Sequence, residues 1–349
     1  MRDGIMVVQV EIRGNTYDFI VDSGGLNLVS KKVAQELGLK AQFSRKFDGS
    51  QEGKTTIDFL TLENIIVGGV DFKETNIGIM DFEPMNATGC YNFQGMIGPA
   101  FMQNGIWEID YQQQVIKIAS DEASFDAPFN EERITFWVND LLQPKMKIEI
   151  GGKLETVKID LGSTGGIRIV KNNLDNLVPN ATFNKVVDGY GRFSRAINGY
   201  GEPLTTKFAQ VNQLTIGNMH LTDELVVFKT NGSPTIGNQF FKNYRVRFNW
   251  QEEEMILIPN NHFEQTTLNN FGIQPIFNNG QPSIGFIYNN SSAQKLGLAI
   301  DDIIIAVNGN SLQNTTKQDW CVVKEMLNIR QQLLCLLPSI EMVNKWISS

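Results

Sequence analysis

Residues 17–24 of the chain are Tyr17-Asp18-Phe19-Ile20-Val21-Asp22-Ser23-Gly24. The apolar run before Asp22 is typical of a buried strand, and the Ser-Gly that follows it is typical of a tight turn. A second run of this kind, Val157-Lys158-Ile159, leads into Asp160-Leu161-Gly162. The two aspartates are 160 − 22 = 138 residues apart, and the same offset brings Glu11-Ile12 onto Glu149-Ile150. The chain therefore contains an internal repeat, and each copy carries one carboxyl group on a glycine turn.

The repeat continues beyond the aspartates. Met96-Ile97-Gly98 matches Thr235-Ile236-Gly237 at an offset of 237 − 98 = 139, and Ile109-Asp110-Tyr111 matches Phe248-Asn249-Trp250 at the same offset. Between these segments the offset rises to 217 − 68 = 149, where Gly68 matches Gly217. The second copy therefore has the longer segment between its aspartate and its middle strand.

Apolar residues recur at every second position through both copies, which predicts half-buried strands and a mainly β fold. Short helices are predicted over Lys31–Leu37, with Ser30 as the N-cap, and over Pro99–Asn104. The segment Ala119–Phe129 is predicted to connect the two halves. Beyond about His262 the pattern has no counterpart in either copy, which predicts a third, separate domain.

Composition and charge exclude several classes of function. The chain has 349 residues, 30 basic against 38 acidic side chains and a formal net charge of −8, with no basic stripe that could neutralise nucleic-acid phosphates. No apolar stretch reaches the roughly 20 residues of a membrane span. The start of the chain enters a strand pattern directly, so no signal peptide is predicted. The sequence leaves the cellular compartment of the protein undecided, and the cell envelope or periplasm is an option if the chain is a trimmed form.

Cysteine and histidine usage gives no sign of a metal site or of a disulfide framework. The three cysteines, Cys90, Cys321 and Cys335, are scattered and odd in number, so no disulfide framework is predicted. Two histidines are too few for a zinc site of the usual spacing. We therefore expect no metal and no cofactor.

Two aspartates at matched positions suit the hydrolysis of an amide bond. Two carboxyl groups within hydrogen-bond distance cannot both ionise cheaply, so they share one proton over a wide pH range. The ionised carboxylate can take a proton from a water molecule, while the protonated carboxyl polarises the carbonyl of the substrate. Asp22 and Asp160 are the candidate catalytic residues. The candidate supporting loop residues are Ser23, Gly24, Gly25, Gly162 and Ser163.

The first motif, Asp22-Ser23-Gly24 with Met96-Ile97-Gly98, and its repeat around Asp160 resemble the aspartic peptidases of the retropepsin and pepsin type. The resemblance covers about residues 5–260 and implies a fused, bacterial-type chain with two homologous retropepsin-like β lobes about a pseudo-two-fold axis. It implies cleavage of peptides or unfolded proteins. Because both aspartates lie in one chain, a catalytic unit complete in a monomer is expected.

Leu161 departs from the family pattern, which has Thr or Ser after the aspartate. One of the two cross-loop hydroxyl hydrogen bonds is then missing, and Ser163 or Thr164 is a candidate substitute. Two hypotheses stay open at this point. The chain is either an active endopeptidase, or a homologue with weakened or lost catalysis that binds peptides.

The family carries a β-hairpin flap over its cleft, and each copy has an Asp-Gly hairpin signal at the matching position. These signals are Asp48-Gly49 and Asp188-Gly189-Tyr190. The resemblance implies that these residues contact substrate. An ordinary surface hairpin at either place is the alternative.

The C-terminal region, from about Ser283 to residue 309, resembles a bacterial PDZ domain, a small α+β fold. The resemblance rests on Ser292-Ala293 with Leu296-Gly297-Leu298, followed by Asp302-Ile303 and Asn308-Gly309. PDZ domains bind an extended peptide by strand addition. The candidate peptide-binding loop comprises Ser283, Ile284, Gly285 and Phe286. The predicted organisation is lobe 1 over 1–125, lobe 2 over 126–262 and a PDZ-like domain over 263–349.

Overall fold

The computed structural model of the protein describes residues 1, 4–48, 54–127, 130–172, 182–196, 199–261, 263, 272–307, 310–324 and 340–343. The chain forms two compact units. Unit 1 contains Met1–Phe82, Asn92–Val186 and Ala209–Thr266, and unit 2 contains Glu83–Tyr91, Val187–Phe208 and Thr267–Ser349. The predicted three-domain organisation stays a prediction. The compact units divide the chain differently, because unit 2 gathers two internal segments with the C-terminal region.

The described chain is mainly β, as predicted. Its strands are β1 Val7–Ile12, β2 Asn15–Val21, β3 Leu28–Ser30, β4 Phe43–Asp48, β5 Lys54–Val67, β6 Val70–Met80, β7 Gly95–Ile97, β8 Ile106–Asp110, β9 Val115–Ala119, β10 Glu132–Thr135, β11 Trp137–Val138, β12 Pro144–Ile150, β13 Lys153–Asp160, β14 Ile167–Val170, β15 Phe183–Gly191, β16 Arg195–Ala196, β17 Gly199–Tyr200, β18 Leu204–Val211, β19 Leu214–Ile216, β20 Met219–Leu221, β21 Glu224–Lys229, β22 Thr235–Gly237, β23 Tyr244–Asn249, β24 Glu254–Pro259, β25 Ile273–Asn278, β26 Gln281–Tyr288, β27 Ile303–Val307, β28 Asn310–Ser311 and β29 Ile340–Val343. Its helices are α1 Lys31–Glu36, α2 Glu83–Thr88, α3 Pro99–Met102, α4 Asn238–Phe241 and α5 Ser292–Lys295, with a 3₁₀ turn at Glu122–Ser124 and helical residues 317–324.

Unit 1 contains two sheets that follow the same strand order. One runs β1-β2-β7-β3-β6, and the other contains β12-β13-β22-β14-β21. In the first sheet β2 pairs in parallel with β7, and in the second β13 pairs in parallel with β22. Each sheet starts with a hairpin that turns on two residues of positive φ, Arg13-Gly14 and Gly151-Gly152, as type I′ turns require. The repeat in the sequence thus corresponds to a repeat in strand pairing.

A five-stranded sheet of order β10-β24-β23-β8-β9 joins strands from both halves of the sequence. Glu108 on β8 lies directly opposite Arg247 on β23, and these two residues are 139 positions apart. Arg247 donates from Nη2 and Nε to Glu108 Oε2 at 2.7 and 3.1 Å, and both side chains are buried. Residues related by the repeat therefore meet face to face as a buried ion pair, whose loss on one side alone would leave an uncompensated charge.

Both predicted helices in the first half are confirmed, although each is shorter than predicted. α1 begins after Ser30, whose Oγ accepts a hydrogen bond from Val33 N. α3 begins with Pro99 in its first turn. The core of unit 1 is built from alternate residues of its strands, among them Phe19, Val21, Ile159 and Ile236, together with Phe241 of α4, all nearly inaccessible to solvent.

Unit 2 contains a hairpin of β25 and β26 that turns on Asn279-Gly280, both of positive φ. β26 also pairs with β27 at Ser283, and β27 pairs with β28 and β29. The short helix α5 is followed by Gly297, whose φ of +79° lies in the left-handed region that ends helices. Trp320 packs in the core of this unit.

Cys90 and Cys321 form a disulfide bond within unit 2. The expectation that the cysteines form no disulfide framework is therefore wrong. The pairing was hidden because the two residues are 231 positions apart in sequence, and only the fold brings the segment Glu83–Tyr91 to the helical residues 317–324.

Candidate functional site

Both aspartates stand where a central strand of unit 1 ends. Asp22 follows β2 directly, and Asp160 is the last residue of β13. Asp22 N donates to Ile97 O at 2.8 Å, and Asp160 lies opposite Gly237 in the parallel pair β13–β22. The backbone of each aspartate is thus held beside the hydrophobic-hydrophobic-Gly segment of its own repeat copy.

The structure brings the two carboxyl groups together, and each packs against a glycine of the other loop. A Cβ on Gly162 would stand 2.3 Å from Asp22 Cγ, and a Cβ on Gly24 would stand 2.6 Å from Asp160 Cγ. A Cβ on Gly25 would stand 2.8 Å from Asp22 Oδ2. Real Cβ atoms do not approach other atoms this closely. Gly24 and Gly162 are therefore needed for the two loops to meet, and Gly25 is needed for the first loop to pack against its own aspartate.

The environment of Asp22 favours its protonated form. Burial raises its pKa to about 7, and the neighbouring charge of Asp160 acts in the same direction. The positive charge of Lys158 and the hydrogen bond from Gly24 N, at 2.7 Å from Asp22 Oδ1, oppose the rise of this pKa. Burial is the largest cause, so Asp22 is the carboxyl that keeps its proton in acid and near-neutral solution.

Ser23 ties the two loops together through its hydroxyl group. Ser23 Oγ donates to Ile159 O at 2.8 Å and accepts from Leu161 N at 3.0 Å. Leu161 is buried and offers no hydroxyl in return. Among the described residues, the hydroxyl groups of Ser163 and Thr164 make no hydrogen bond, so the proposed substitute is not formed.

Asn238, which the sequence analysis missed, holds the second loop instead. Its Nδ2 donates to Leu161 O at 2.7 Å and to Gly4 O at 3.2 Å, and its Oδ1 accepts from the hydroxyl of Tyr111 at 2.9 Å. The signal lay in the repeat, because Asn238 follows Gly237 where the first copy has Pro99 after Gly98. The two loops are therefore anchored by different chemistry.

Lys158 is the second residue that the sequence analysis did not assign to the site. Its Nζ lies 3.3 Å from Asp160 Oδ2 and donates to Gly24 O at 3.0 Å. The corresponding residue of the first copy is Ile20, which is apolar. The signal was this break in the apolar run before the aspartate. Because the first copy has an apolar residue at this place, the surroundings of the two carboxyl groups are unequal.

The structure places the two predicted flap segments in different kinds of local structure. Asp48 ends β4 and lies opposite Lys54 in the hairpin of β4 and β5, while Gly49 falls outside the described residues. The hairpin turn predicted at Asp188-Gly189 is wrong. These residues and Tyr190 belong to β15, which runs to Gly191 and pairs with β26 in unit 2. Gly189 has no side chain, which allows β15 to approach β26 closely; this glycine does not form a turn.

The predicted PDZ loop is also corrected. Ser283, Ile284, Gly285 and Phe286 lie inside β26 and are buried. The turn falls earlier, at Asn279-Gly280, and this pair was the signal in the sequence. Within unit 2, β26 is hydrogen-bonded along both edges, to β25 on one side and to residues of β15 and β27 on the other.

A methyl group on Gly162 is expected to separate the two aspartates. Gly162→Ala would place its Cβ inside the Asp22 carboxyl, and the loop would have to shift. A displacement of about 1 Å at reacting groups costs on the order of 100-fold in rate, and overpacking costs about 1–3 kcal/mol of stability. Hydrolysis rates and urea denaturation measure both effects.

Gly165→Ala is the matched control for this change. It lies in the same loop, and its Cβ would have its nearest neighbour, Ser163 Oγ, at 3.7 Å, an ordinary contact. Equal behaviour of the two variants would show that the loops do not meet as described.

Comparisons with known proteins support the first half of this picture. Residues 8–101, from β1 into α3, match the family model described as aspartyl protease. No curated protein matches the chain. In the part of the chain that the structure describes, no helix is long and apolar enough to cross a membrane. The same residues contain no group of three or more His, Cys, Asp or Glu side chains that could hold a metal ion.

Proposed function

We propose that the protein is an aspartic endopeptidase in which Asp22 and Asp160 hydrolyse peptide bonds through a water molecule held between them. The observation that carries the proposal is the contact of each carboxyl with the glycine of the opposite loop. Two carboxyl groups share one proton only when they lie within hydrogen-bond distance, and the glycines leave the room for this approach. The match of residues 8–101 to the aspartyl protease family supports the same reaction class.

The two carboxyls have separate roles in the proposed mechanism. Asp160, beside the ammonium group of Lys158, carries the negative charge and takes a proton from the attacking water. Asp22, whose pKa is raised, keeps its proton and donates a hydrogen bond to the carbonyl oxygen of the substrate. The proton taken up by Asp160 is then available for the leaving amine. Ser23 and Asn238 position the loops and do not touch the substrate.

The proposed architecture is two homologous retropepsin-like lobes about a pseudo-two-fold axis. It is supported by the equal strand orders of the two sheets and by the pairing of Glu108 with Arg247, which the repeat relates to each other. Both aspartates lie in unit 1 of a single chain, so the proposed catalytic unit is a monomer. Retropepsin-like lobes over 1–125 and 126–262 and a PDZ-like domain over 263–349 remain part of the proposal.

The proposal includes recruitment of peptides by the PDZ-like region, on the condition that one edge of β26 opens. Strand addition needs an open edge, and both edges of β26 are paired within unit 2. A peptide would therefore have to displace residues 189–191 of β15 to bind there. Tyr190 is half exposed, at 49% of its surface, and is the candidate contact on this segment.

The alternative function is peptide binding without turnover. The observation that favours it is Leu161, because the second loop lacks the hydroxyl hydrogen bond that Ser23 makes for the first. Asn238 holds the second loop by its own hydrogen bond to Leu161 O. Hydrolysis of a peptide substrate, or its absence, distinguishes between the two functions.

The test is hydrolysis of unfolded proteins between about pH 3 and pH 8, with and without pepstatin, by the wild type and by Asp160→Asn. We expect pepstatin-sensitive cleavage on the acid side of pH 7, because hydrolysis needs the pair to hold one proton. Asp160→Asn should reduce the rate by at least about 10⁴-fold, since it removes the general base. Cleavage that survives this substitution would refute the proposal. Binding without any cleavage would favour the alternative.

A further inference from the structure

Two donors from the second copy of the repeat hold the carbonyl group of Gly24 in the first. Gln143 Nε2 donates to Gly24 O at 2.5 Å, and Lys158 Nζ donates to the same oxygen at 3.0 Å. A Cβ on Gly24 would stand 2.8 Å from Lys158 Nζ and 2.6 Å from Asp160 Cγ. The loop after Asp22 therefore packs directly against the end of β13, and the ammonium group of Lys158 contacts both the loop and Asp160.

The first copy of the repeat has no equivalent of either donor. Gln143 matches Ile5, and Lys158 matches Ile20, since 143 − 5 and 158 − 20 both equal 138. Both isoleucines are buried, and neither side chain has a polar group that could hold the second loop. This tie therefore runs in one direction, from the second copy to the first. It adds a link between the loops in a chain where Leu161 removes one of the two hydroxyl links.

Lys158 also acts on the dyad through its charge. Its Nζ lies 3.3 Å from Asp160 Oδ2, and the two side chains are 19% and 14% exposed. Salt screens such a partly buried pair less than it screens a pair on the surface. Burial, the largest cause, and the charge of Asp160 raise the pKa of Asp22 to about 7, and the charge of Lys158 acts against both. The cation therefore favours release of the proton that the pair holds.

Lys145 and Arg168 lie on the same face of the sheet as Lys158. Lys145 on β12 is directly opposite Lys158, and Arg168 on β14 is separated from it by Thr235 on β22. Burial, the largest cause, lowers the pKa of Arg168, and the charge of Asp160 opposes this effect. Among the described residues, Lys158 is the one of these three cations that lies within ion-pair distance of the dyad.

We infer that Lys158 is a positioning residue of the proposed dyad, whose ammonium group ties the loop of Asp22 to the second copy and limits the pH range over which the dyad can work. The inference rests on the proposed function, because the proton concerned is the one that hydrolysis needs. It extends that function from the two reacting groups to the control of their protonation by a residue that does not touch the substrate.

The test compares the pH dependence of kcat/KM for the wild type and for three substitutions of Lys158. Lys158→Met removes the charge and the donor, Lys158→Gln removes the charge but keeps a donor for Gly24 O, and Lys158→Arg keeps both. Hydrolysis needs one proton on the pair, and without the cation the pair keeps this proton to higher pH. The alkaline limb of the profile should therefore move up by about 1 pH unit in Lys158→Met and Lys158→Gln. It should stay at the position of the wild type in Lys158→Arg.

The hydrogen bond to Gly24 O gives a second readout. Each variant is measured at its own pH optimum, so that the protonation of the pair is matched. The kcat of Lys158→Met should be about tenfold below that of Lys158→Gln, which is the scale of one hydrogen bond. Gln143 still holds the same oxygen in both variants, so neither should lose its activity altogether. Equal rates in the two variants would refute the tie.

Lys153→Met is the matched control, since it makes the same substitution at the exposed beginning of β13. The strand puts about 17 Å between positions 153 and 158, which is beyond the Debye length of about 8 Å at physiological ionic strength. The pH profile of the control should coincide with that of the wild type. A merely structural role of Lys158 predicts an equal loss of rate at every pH. Such a loss in Lys158→Met and Lys158→Gln, with an alkaline limb that does not move, would overturn the inference.

A titration without turnover separates failure of this inference from failure of the proposed function. Carbon NMR of labelled aspartate carboxyl groups follows Asp22 directly, and Asp22→Asn identifies its signal. A titration midpoint that rises in Lys158→Met, without hydrolysis by the wild type at any pH, would show that Lys158 controls the pair and would refute the peptidase. Hydrolysis by the wild type, with equal midpoints in the two proteins, would support the peptidase and refute the inference.

Discussion

Replacing Asp22 by asparagine is expected to stop hydrolysis and, at the same time, to make the folded protein more stable at neutral pH. An asparagine can keep the contacts of the protonated carboxyl, because its Oδ1 accepts from Gly24 N and its Nδ2 can donate to Asp160. It cannot exchange a proton, so the rate should fall by at least about 10⁴-fold. The gain in stability has a separate origin in the titration of Asp22.

The sign of the stability effect follows from the raised pKa of Asp22. The pKa of this carboxyl has its ordinary value of 3.8 in the unfolded chain and rises to about 7 in the folded one. As pH rises through this window the unfolded state loses the proton first, and the free energy of unfolding falls by up to about 1.4 kcal/mol per pH unit. Asn does not titrate, so Asp22→Asn should be more stable than the wild type at pH 7 by about 2–4 kcal/mol and nearly equal to it at pH 4.

Urea denaturation at several pH values measures this difference. Asp71→Asn, on the exposed face of β6, makes the same change of charge and should stay within about 0.5 kcal/mol of the wild type. A loss of stability in Asp22→Asn at pH 7 would contradict the raised pKa of the buried carboxyl. Retained hydrolysis would contradict its role.

Removing the disulfide is expected to have the second large effect. The bond between Cys90 and Cys321 closes a loop whose ends are 231 residues apart. In the chain-entropy model a loop of that length contributes about 5 kcal/mol by restricting the unfolded chain. Cys90→Ser/Cys321→Ser should lose a comparable amount in urea denaturation, as should the wild type under reducing conditions. We expect production in an oxidising compartment to be needed for full stability.

Cys335→Ser is the control for the disulfide, because it removes the third cysteine and leaves the bond in place. It should denature at the urea concentration of the wild type. Titration of the unfolded, unreduced wild type should find 3 − 2 = 1 free thiol per chain. Three free thiols, or a double variant as stable as the control, would show that the bond does not form.

The sequence predicted the β class, the repeat and the meeting of Asp22 with Asp160, because each rests on local patterns that occur twice. Alternation specifies a strand wherever one face is buried, and the glycine turns specify where it ends. Lys158 and Asn238 could have been found by asking where the two copies differ. Each is a polar residue at a place where the other copy is apolar or has proline.

The remaining features depend on contacts that no local pattern records. Asp188-Gly189 has the composition of a turn, but the partner strand β26 supplies hydrogen bonds that extend the strand through it. Residues 283–286 of β26 were predicted to be a peptide-binding loop because of the PDZ resemblance, whereas their pairing with β25 makes them part of a strand. The disulfide joins two segments that lie in different halves of the sequence, and cysteine spacing alone does not reveal such a pair.

The covalent link also changes what a cut in the backbone would do. Any single cleavage between Cys90 and Cys321 would leave both fragments joined by the disulfide, as a two-chain molecule of unchanged mass apart from one added water. If the proposed peptidase activity acts on other copies of the chain, a cut at most positions would therefore release no fragment. Self-digestion would become visible only after reduction, as two bands in place of one.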